Sequence, residues 1–143
     1  MPSLSIVIPV LGDVTRLETT LVSVLSHRPA DSEVIVVLAV SYDDPYELAG
    51  EVRFVAARPR AGWVECVNLG IEMSQGEVVH LIESGLEVAE GWTASPLHDL
   101  DDRQVAAVAP VVFDACDTEH VWAAGVEYRT GGRRVTLVGD EGA

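Results

Sequence analysis

Carboxylates that directly follow apolar segments are the side chains of this sequence with the clearest chemical potential. Glu83 follows an apolar run at 77–82, Glu87 lies one helical turn's spacing further on, and Asp43 follows a second run at 33–40. Carboxylate oxygens ligate hard divalent cations and accept hydrogen bonds from hydroxyl groups. If the two runs are parallel strands, these side chains meet at one edge of a sheet, where the ligands of such sheets bind.

A second polar cluster lies nearer the carboxyl terminus. It contains residue types that bind metals, namely Asp114, Asp117, Glu119 and His120. Their spacing matches no metal-binding motif, so we expect a solvated acidic loop. His80 interrupts one of the apolar runs, and we expect this lone histidine to pack in the core.

The elements that position these groups alternate between strands and helices. Thr15-Arg16-Leu17-Glu18 fits a helix capping box, and Pro29 ends the helix that follows. A second helix is predicted at 62–74, and strands are predicted at 4–9, 33–40, 52–56 and 77–82. This alternation implies right-handed crossovers and a parallel sheet. The near-continuous apolar run at 33–40 indicates a central strand with helices over both faces.

Three glycines border or interrupt the second helix. We expect Gly62 and Gly70 to permit close packing of the helix against the sheet. Gly76 follows the helical pattern and is expected to end the helix.

Beyond Glu83 the pattern of elements is looser. A short helix is predicted at 93–100 and a strand at 104–112. The segments 122–129 and 133–138 flank Thr130-Gly131-Gly132, which predicts a β-hairpin.

Composition limits the number of domains and the class of partner. The chain has 143 residues, of which 48% are hydrophobic, and we expect a single domain over residues 1–143. The formal net charge is −14, and the nine basic residues are all Arg. Nucleic acids and anionic membranes are bound through clustered positive charge, so neither is expected as a partner.

Compartment and redox state follow from simple features of the sequence. No apolar run approaches the roughly 20 residues that span a bilayer, and the amino terminus lacks a basic-then-apolar signal pattern. We therefore expect a soluble, cytoplasmic protein. Cys66 and Cys116 are far apart and form no C-x-x-C pair, so we expect two free thiols.

Four segments together resemble the family 2 glycosyltransferases of the GT-A fold. They are Ser5-Ile6-Val7-Ile8-Pro9, then Glu33-Val34-Ile35-Val36-Val37 with Ser41 and Asp43, then Gly62 through Asn68-Leu69-Gly70-Ile71, and then Gly76-Glu77-Val78-Val79. The resemblance covers about residues 3–112 and is most specific between Gly62 and Trp92. It implies a Rossmann-like, three-layer α/β/α fold with a mostly parallel sheet, here followed by a C-terminal β-hairpin.

The resemblance also implies a nucleotide-diphosphate sugar in the cleft at the strand ends. The residues at the matching positions are Pro9, Val10, Ser41, Asp43, Asn68 and Glu83. In the family an Asp-x-Asp type motif holds Mg²⁺ or Mn²⁺ on the diphosphate, and here that motif reads Glu83-Ser84-Gly85. Because Gly85 supplies no ligand, Glu87 is the candidate second metal ligand. Without a metal, Arg58 and Arg60 are the candidate cations.

Two further sets of family carboxylates have no match. Leu38 and Ala39 stand at the positions that hold the nucleobase and ribose, and neither side chain accepts a hydrogen bond. Residues 113–143 contain no segment that matches the catalytic base, and Asp140-Glu141 lies at the extreme end, where chains fray. We therefore expect either a piece of a longer protein or an incomplete acceptor half.

The first class of function that these residues leave open is enzymatic. By descent the chain would transfer a sugar from a nucleotide-diphosphate sugar, with activity impaired or lost because the motifs are degenerate. In a competing form the activity survives: Glu83 and Glu87 bind Mn²⁺, Asp43 replaces the lost base contact, and a missing carboxyl-terminal half supplies the catalytic base.

The second class is a non-catalytic module with a family 2 scaffold. It would bind a glycan, a small ligand or a partner protein, or form a homodimer. Apolar side chains in a cleft short of polar groups would suit such a contact, and we expect them to be exposed at Leu38, Leu86 and Trp92.

Overall fold

A computed structural model describes residues 3–138 of the chain. The chain divides into two compact units, with the boundary between Thr93 and Ala94. The first unit contains strands β1 (Leu4–Val10), β2 (Ser32–Leu38), β3 (Val52–Ala56) and β4 (Val78–Leu81), helices α1 (Val14–His27) and α2 (Trp63–Met73), and a 3₁₀ turn at Leu48–Gly50.

The four strands of the first unit form one parallel sheet in the order β3-β2-β1-β4. Leu4 of β1 pairs with Ser32 on one side and with Val78 on the other. The step from β1 to β2 runs in one direction along the sheet, and the step from β3 to β4 runs in the other. Right-handed crossovers therefore place α1 and α2 on opposite faces. The predicted α/β class with a mostly parallel sheet is confirmed.

The core on the α2 face is a cluster of fully buried apolar side chains. Val7, Ile35 and Val37 of the sheet pack with Cys66 of α2 and with Ala61. On the other face, alternate strand residues are covered by α1, whose Leu17, Leu21 and Val24 are at most 2% exposed. Both cysteines are free, Cys66 buried and Cys116 exposed.

The N-cap of helix α1 lies two residues before the predicted capping box. Its N-cap is Asp13, whose Oδ1 accepts a hydrogen bond from the Thr15 amide at 2.9 Å, so the prediction of Thr15 as cap is wrong. Aspartate is among the best N-cap residues, and the earlier cap adds two residues to the helix. The helix ends at His27, before Pro29 as predicted.

The three glycines around α2 have three different roles. A Cβ on Gly70 would lie 2.3 Å from Cγ1 of Val7, which confirms close helix-sheet packing there. Gly62 is the N-cap of α2 and has open space around it, so its predicted packing role is wrong. Helix α2 ends at Met73, and a Cβ on Gly76 would lie 2.7 Å from the backbone nitrogen of Ser5. Gly76 therefore permits close approach to β1 instead of ending the helix.

The second unit contains helix α3 (Ala94–Asp99) and strands β5 (Val112–Phe113), β6 (Val121–Ala123), β7 (Val126–Arg129) and β8 (Arg133–Thr136). Strands β5 and β6 pair antiparallel, and β7 and β8 form the predicted hairpin. The first arm of that hairpin is shorter than predicted, because the predicted segment is divided between β6 and β7. The two strands are separated at Gly125, which has a φ of +105°.

The predicted strand at 104–112 is wrong except for its last residue. Residues 105–111 join no ladder, and most of them are exposed. Pro110 offers no N–H to a partner strand, and the apolar side chains before it are mostly alanine and valine. The apolar composition of this segment therefore predicted a strand where, among the described residues, no partner strand pairs with it.

None of the helices between residues 3 and 138 is long and apolar enough to cross a membrane.

Candidate functional site

The strand order reverses between β1 and β4. From β1 the chain builds β2 and β3 to one side, and then returns to place β4 on the other side of β1. In open α/β sheets the ligand crevice lies outside the carboxyl ends of the strands at such a reversal. The loops that follow β1 and β4 therefore form the candidate site.

The loop after β4 brings Glu83 to this edge. The Ile82 amide donates to the Val7 carbonyl at 3.0 Å, which extends the pairing with β1 past the end of β4. The Ser84 hydroxyl donates to the Pro9 carbonyl at 3.2 Å. Between these two anchors the Glu83 side chain is exposed, so its carboxylate is free to accept hydrogen bonds from a ligand.

Two buried hydroxyls of α1 hold the rest of this loop. The Thr20 Oγ1 accepts from the Gly85 amide and donates to the Leu86 carbonyl, both at 2.8 Å. The Ser23 Oγ accepts from the Val88 amide at 3.2 Å. Sequence reasoning missed both residues, although two hydroxyls on the stripe that carries Leu17, Leu21 and Val24 were a usable signal.

Arg16 lies directly over Gly85. Gly85 has a φ of +99°, and a Cβ placed on it would be 2.5 Å from Nε and 2.8 Å from Nη2 of Arg16. Among residues 3–138 the guanidinium forms neither an ion pair nor a hydrogen bond. Arg16 was not among the residues predicted from the sequence.

The donor set at this edge does not fit a divalent cation. Glu83 is its single motif carboxylate, and a guanidinium lies against the position where the resemblance implied a second one. In the part of the chain that the structure describes, no three His, Cys, Asp or Glu side chains are grouped to hold a metal ion. Glu87 is exposed on the loop that Ser23 anchors.

The loop after β2 forms the neighbouring part of the edge. Leu38 and Ala39 are half-buried, and the Ala39 amide donates to the Val10 carbonyl at 2.9 Å. Ser41 and Asp43 are exposed, as a ligand-binding role requires. Asp44 instead caps the 3₁₀ turn, because its carboxylate accepts from the amides of residues 48 and 49 at 2.9 and 3.1 Å.

Tyr42 is a further residue of this loop that sequence reasoning missed. Its ring packs against Phe54 at a centroid distance of 5.5 Å, and its enclosed hydroxyl has no hydrogen-bond partner among the described residues. Burial, followed by the nearby carboxylates of Glu18 and Asp44, raises the pKa of Tyr42. The phenol is therefore protonated at neutral pH.

The other predicted site residues lie in different surroundings. Pro9 and Val10 are buried within β1, so only their main-chain atoms are available to a ligand. Asn68 is exposed on α2. Arg58 forms a two-bond ion pair with Glu65, with Nη2 to Oε2 at 2.7 Å, and so is not a free cation. Arg60, the other predicted cation, is exposed. The acidic pair at 140–141 lies outside the described residues.

His80 of β4 packs against Trp92. Their rings meet edge to face with centroids 4.7 Å apart, and both side chains are half-buried. Burial lowers the pKa of His80. His80 therefore packs against Trp92, but it is half-buried and does not belong to the fully buried core. Trp92 is not the exposed apolar surface that a docking role predicted, and neither are Leu38 and Leu86, which are also half-buried.

The acidic cluster of the second unit is used for local turns. The Asp114 Oδ1 accepts from the Cys116 amide at 2.7 Å, and the Asp117 Oδ1 accepts from the Glu119 amide at 3.2 Å. These side chains and His120 are exposed, in agreement with a solvated loop.

The comparisons with known proteins agree with this architecture. The family model described as "Glycosyl transferase family 2" matches residues 5–138. Polypeptide N-acetylgalactosaminyltransferase 12 of Mus musculus is 30% identical over 123 residues, which is 78% of this chain and 21% of that protein. The chain therefore spans about a fifth of the length of this curated relative.

Two solved structures share the fold. Mannosyltransferase PcManGT from Pyrobaculum calidifontis, in complex with GDP-Man and Mn²⁺, superposes with a TM-score of 0.68 at 22% identity, over 82% of this chain and 37% of that one. TarS of S. aureus gives a TM-score of 0.59 at 16% identity, over 73% of this chain and 20% of that one. Because the family model covers nearly the whole of the described residues, the chain belongs to glycosyl transferase family 2.

Proposed function

We propose that this chain is the donor-binding part of a family 2 glycosyltransferase, and that it transfers little or no sugar by itself. It would hold a nucleotide-diphosphate sugar at the carboxyl edge of β1 and β4. The observation that carries the proposal is the reversal of strand order at that edge, with the exposed carboxylate of Glu83 at its mouth. The GDP-Man complex of the Pyrobaculum calidifontis mannosyltransferase supports this class of ligand.

Weak binding and little transfer are expected because anchoring groups are missing. Leu38 and Ala39 offer no side-chain acceptor to a base or ribose, and Gly85 offers none to a metal. A nucleotide then depends on fewer polar contacts. A dissociation constant near 1 mM corresponds to only about −4 kcal/mol of binding free energy.

Within this proposal Glu83 binds the sugar end of the ligand. An ionised carboxylate is an acceptor only, so its natural partners here are the hydroxyl groups of a ribose or a donor sugar. Glu87, which is also exposed on the same loop, provides a matched comparison because it carries the same charge. If both carboxylates instead bind Mn²⁺, replacing either one will abolish a metal-dependent affinity.

The test is isothermal titration of the chain with UDP, GDP and their sugar conjugates, each with Mn²⁺ and with EDTA. We expect at least one nucleotide to bind more tightly than about 1 mM. Glu83→Gln should weaken binding of the sugar conjugate about tenfold, and Glu87→Gln should leave it unchanged. Absence of heat with every nucleotide, from a sample with the circular dichroism of a folded protein, would contradict the proposal. Equal, Mn²⁺-dependent losses in both variants would favour an active metal site.

A protein-binding module is the second candidate function, and one observation favours it. Helix α2 exposes Trp63, Val64 and Ile71, at 43%, 66% and 44% of their surface. Val64 and Ile71 are seven residues apart and therefore lie on one side of the helix. Sedimentation analysis over a range of concentrations tests the homodimer form: association that Val64→Ser and Ile71→Ser abolish would support it, and a strict monomer would remove it.

A further inference from the structure

We propose that Arg16 supplies the positive charge for the diphosphate at this site, so that the nucleotide binds without a divalent cation. The inference rests on the proposed function, because it names the group that holds the diphosphate of the same ligand. It replaces Arg58 as a candidate cation, since Arg58 is paired with Glu65.

The geometry places the guanidinium at the reversal of strand order. Arg16 lies in the first turn of α1, which follows β1, and its Nε is 2.5 Å from where a Cβ of residue 85 would be. Gly85 lies on the loop that follows β4. The guanidinium therefore reaches from the first turn of α1 to the loop after β4, where the resemblance implied a metal ligand.

Thr20 holds the loop after β4 in contact with Arg16 through hydrogen bonds to that loop. It is one helical turn beyond Arg16, so the two side chains lie on the same side of α1. Thr20 binds the Gly85 amide and the Leu86 carbonyl at 2.8 Å each. The loop is thus held against the helix at the place where Arg16 covers it, and the arginine needs little reorganisation to meet a ligand.

The residue type at position 85 decides which cation the site can use. An aspartate there would pair with Arg16 and neutralise it, whereas the glycine leaves the guanidinium without a carboxylate partner. Three other arginines are engaged by glutamates: Arg28 with Glu51, Arg58 with Glu65, and Arg129 with Glu127. In a chain of net charge −14, an unpaired arginine beside the crevice is a specific source of positive potential.

The chemistry of a guanidinium suits this task. Its planar fork donates two parallel N–H bonds to phosphate oxygens and keeps its charge at any physiological pH. It therefore offsets part of the diphosphate charge without requiring the second carboxylate that a metal ion would need.

The test measures GDP and UDP affinity by titration calorimetry in EDTA and again with Mn²⁺. We expect the wild-type chain to bind equally in both conditions, and Arg16→Gln to bind about tenfold more weakly. Arg28→Gln is the control, because Arg28 follows the last residue of the same helix and carries the same charge. It should bind as the wild type does. Arg16→Lys keeps the charge without the fork and should fall between wild type and Arg16→Gln.

The outcomes separate this inference from the proposed function. Nucleotide binding that requires Mn²⁺, or that Arg16→Gln leaves unchanged, would overturn the role of Arg16 and leave the proposed function intact. No binding in either condition by the folded wild-type chain would overturn both. Circular dichroism of each variant establishes that a lost affinity comes from the site and not from unfolding.

Discussion

At the scale of single residues, the contact between Arg16 and Gly85 determines the character of the site. The two residues are far apart in sequence, and they meet because the loop after β4 folds onto the first turns of α1. A side chain at position 85 would be strained by the positive φ and would also clash with the Arg16 guanidinium. The effects of strain and of the clash can be measured separately.

We predict that Gly85→Ala costs about 1–2 kcal/mol of unfolding free energy, because alanine is strained at a φ of +99°. The new Cβ must also displace the Arg16 guanidinium, so nucleotide affinity should fall. Gly91→Ala is the matched control, since Gly91 has a φ of +73° and open space around it. Both variants should lose similar stability in urea unfolding, and only Gly85→Ala should lose affinity. Equal affinities would contradict the assigned contact.

His80 predicts a pH dependence of stability. Burial lowers its pKa in the folded state below the ordinary value of 6.5, so below that pH the unfolded chain binds more protons than the folded one. Stability should therefore be highest above pH 6.5 and fall as the pH drops toward the folded-state pKa, with a slope of at most about 1.4 kcal/mol per pH unit for one proton. Urea unfolding at several pH values measures this.

The control for the histidine is a pair of substitutions. In His80→Phe the aromatic contact with Trp92 can persist without a titrating group, so this part of the pH dependence should vanish. His120→Gln, at an exposed position, should keep it. An unchanged pH profile in His80→Phe would mean that other groups cause the acid sensitivity.

At the scale of secondary-structure elements, the packing of α2 on the sheet depends on one glycine. The Cβ of an alanine at position 70 would lie 2.3 Å from Val7 and 3.2 Å from Val37, both in the core. We predict that Gly70→Ala destabilises the fold by about 1–3 kcal/mol through overpacking. Gly62→Ala meets open space at a φ of −80° and should cost less, because it loses only the preference of an N-cap for glycine over alanine. Equal effects in thermal unfolding would contradict this packing.

The loop after β4 depends on the hydroxyls of α1. Thr20→Val keeps the shape of the side chain and removes both hydrogen bonds to the loop. It leaves the Gly85 amide and the Leu86 carbonyl without their partner, which we predict costs about 1–3 kcal/mol. Thr19→Val, on the exposed side of the same helix, is the control. Hydrogen exchange of the Gly85 amide should quicken in Thr20→Val alone, and unchanged exchange would contradict the anchoring role.

The elements of the first unit were predictable because their signals are local. Apolar runs predicted all four strands, and Pro29 marked the end of α1. The strand at 104–112 failed because hydropathy does not say whether a partner strand exists, and the capping box failed because Asp13 is a competing cap.

The candidate site was less predictable than the fold. Glu83 could be placed from the resemblance, whereas Arg16 acquires its role from a long-range contact that no local pattern encodes. Thr20 and Ser23 were partly predictable. A hydroxyl on the buried side of α1 indicates that it has a hydrogen-bond partner, but the sequence does not show that the partner is the loop after β4.

At the scale of the whole molecule, charge bears on how an anionic ligand can bind. A nucleotide diphosphate must approach a chain of net charge −14, and repulsion from distant carboxylates is screened beyond about 8 Å at physiological salt. Local cations therefore decide the outcome. Arg16 is placed where it can act on the ligand without competition from a paired carboxylate.

A nucleotide diphosphate that binds as proposed will contact the carboxyl edge of β1 and β4. Backbone amide chemical shifts of the isotopically labelled chain, recorded during titration with GDP and with UDP, test this claim residue by residue. We predict that the largest changes fall on Arg16 and on Glu83, Gly85 and Leu86 of the loop after β4. Changes that are absent from both loops, or that are confined to the second unit after Thr93, would contradict it.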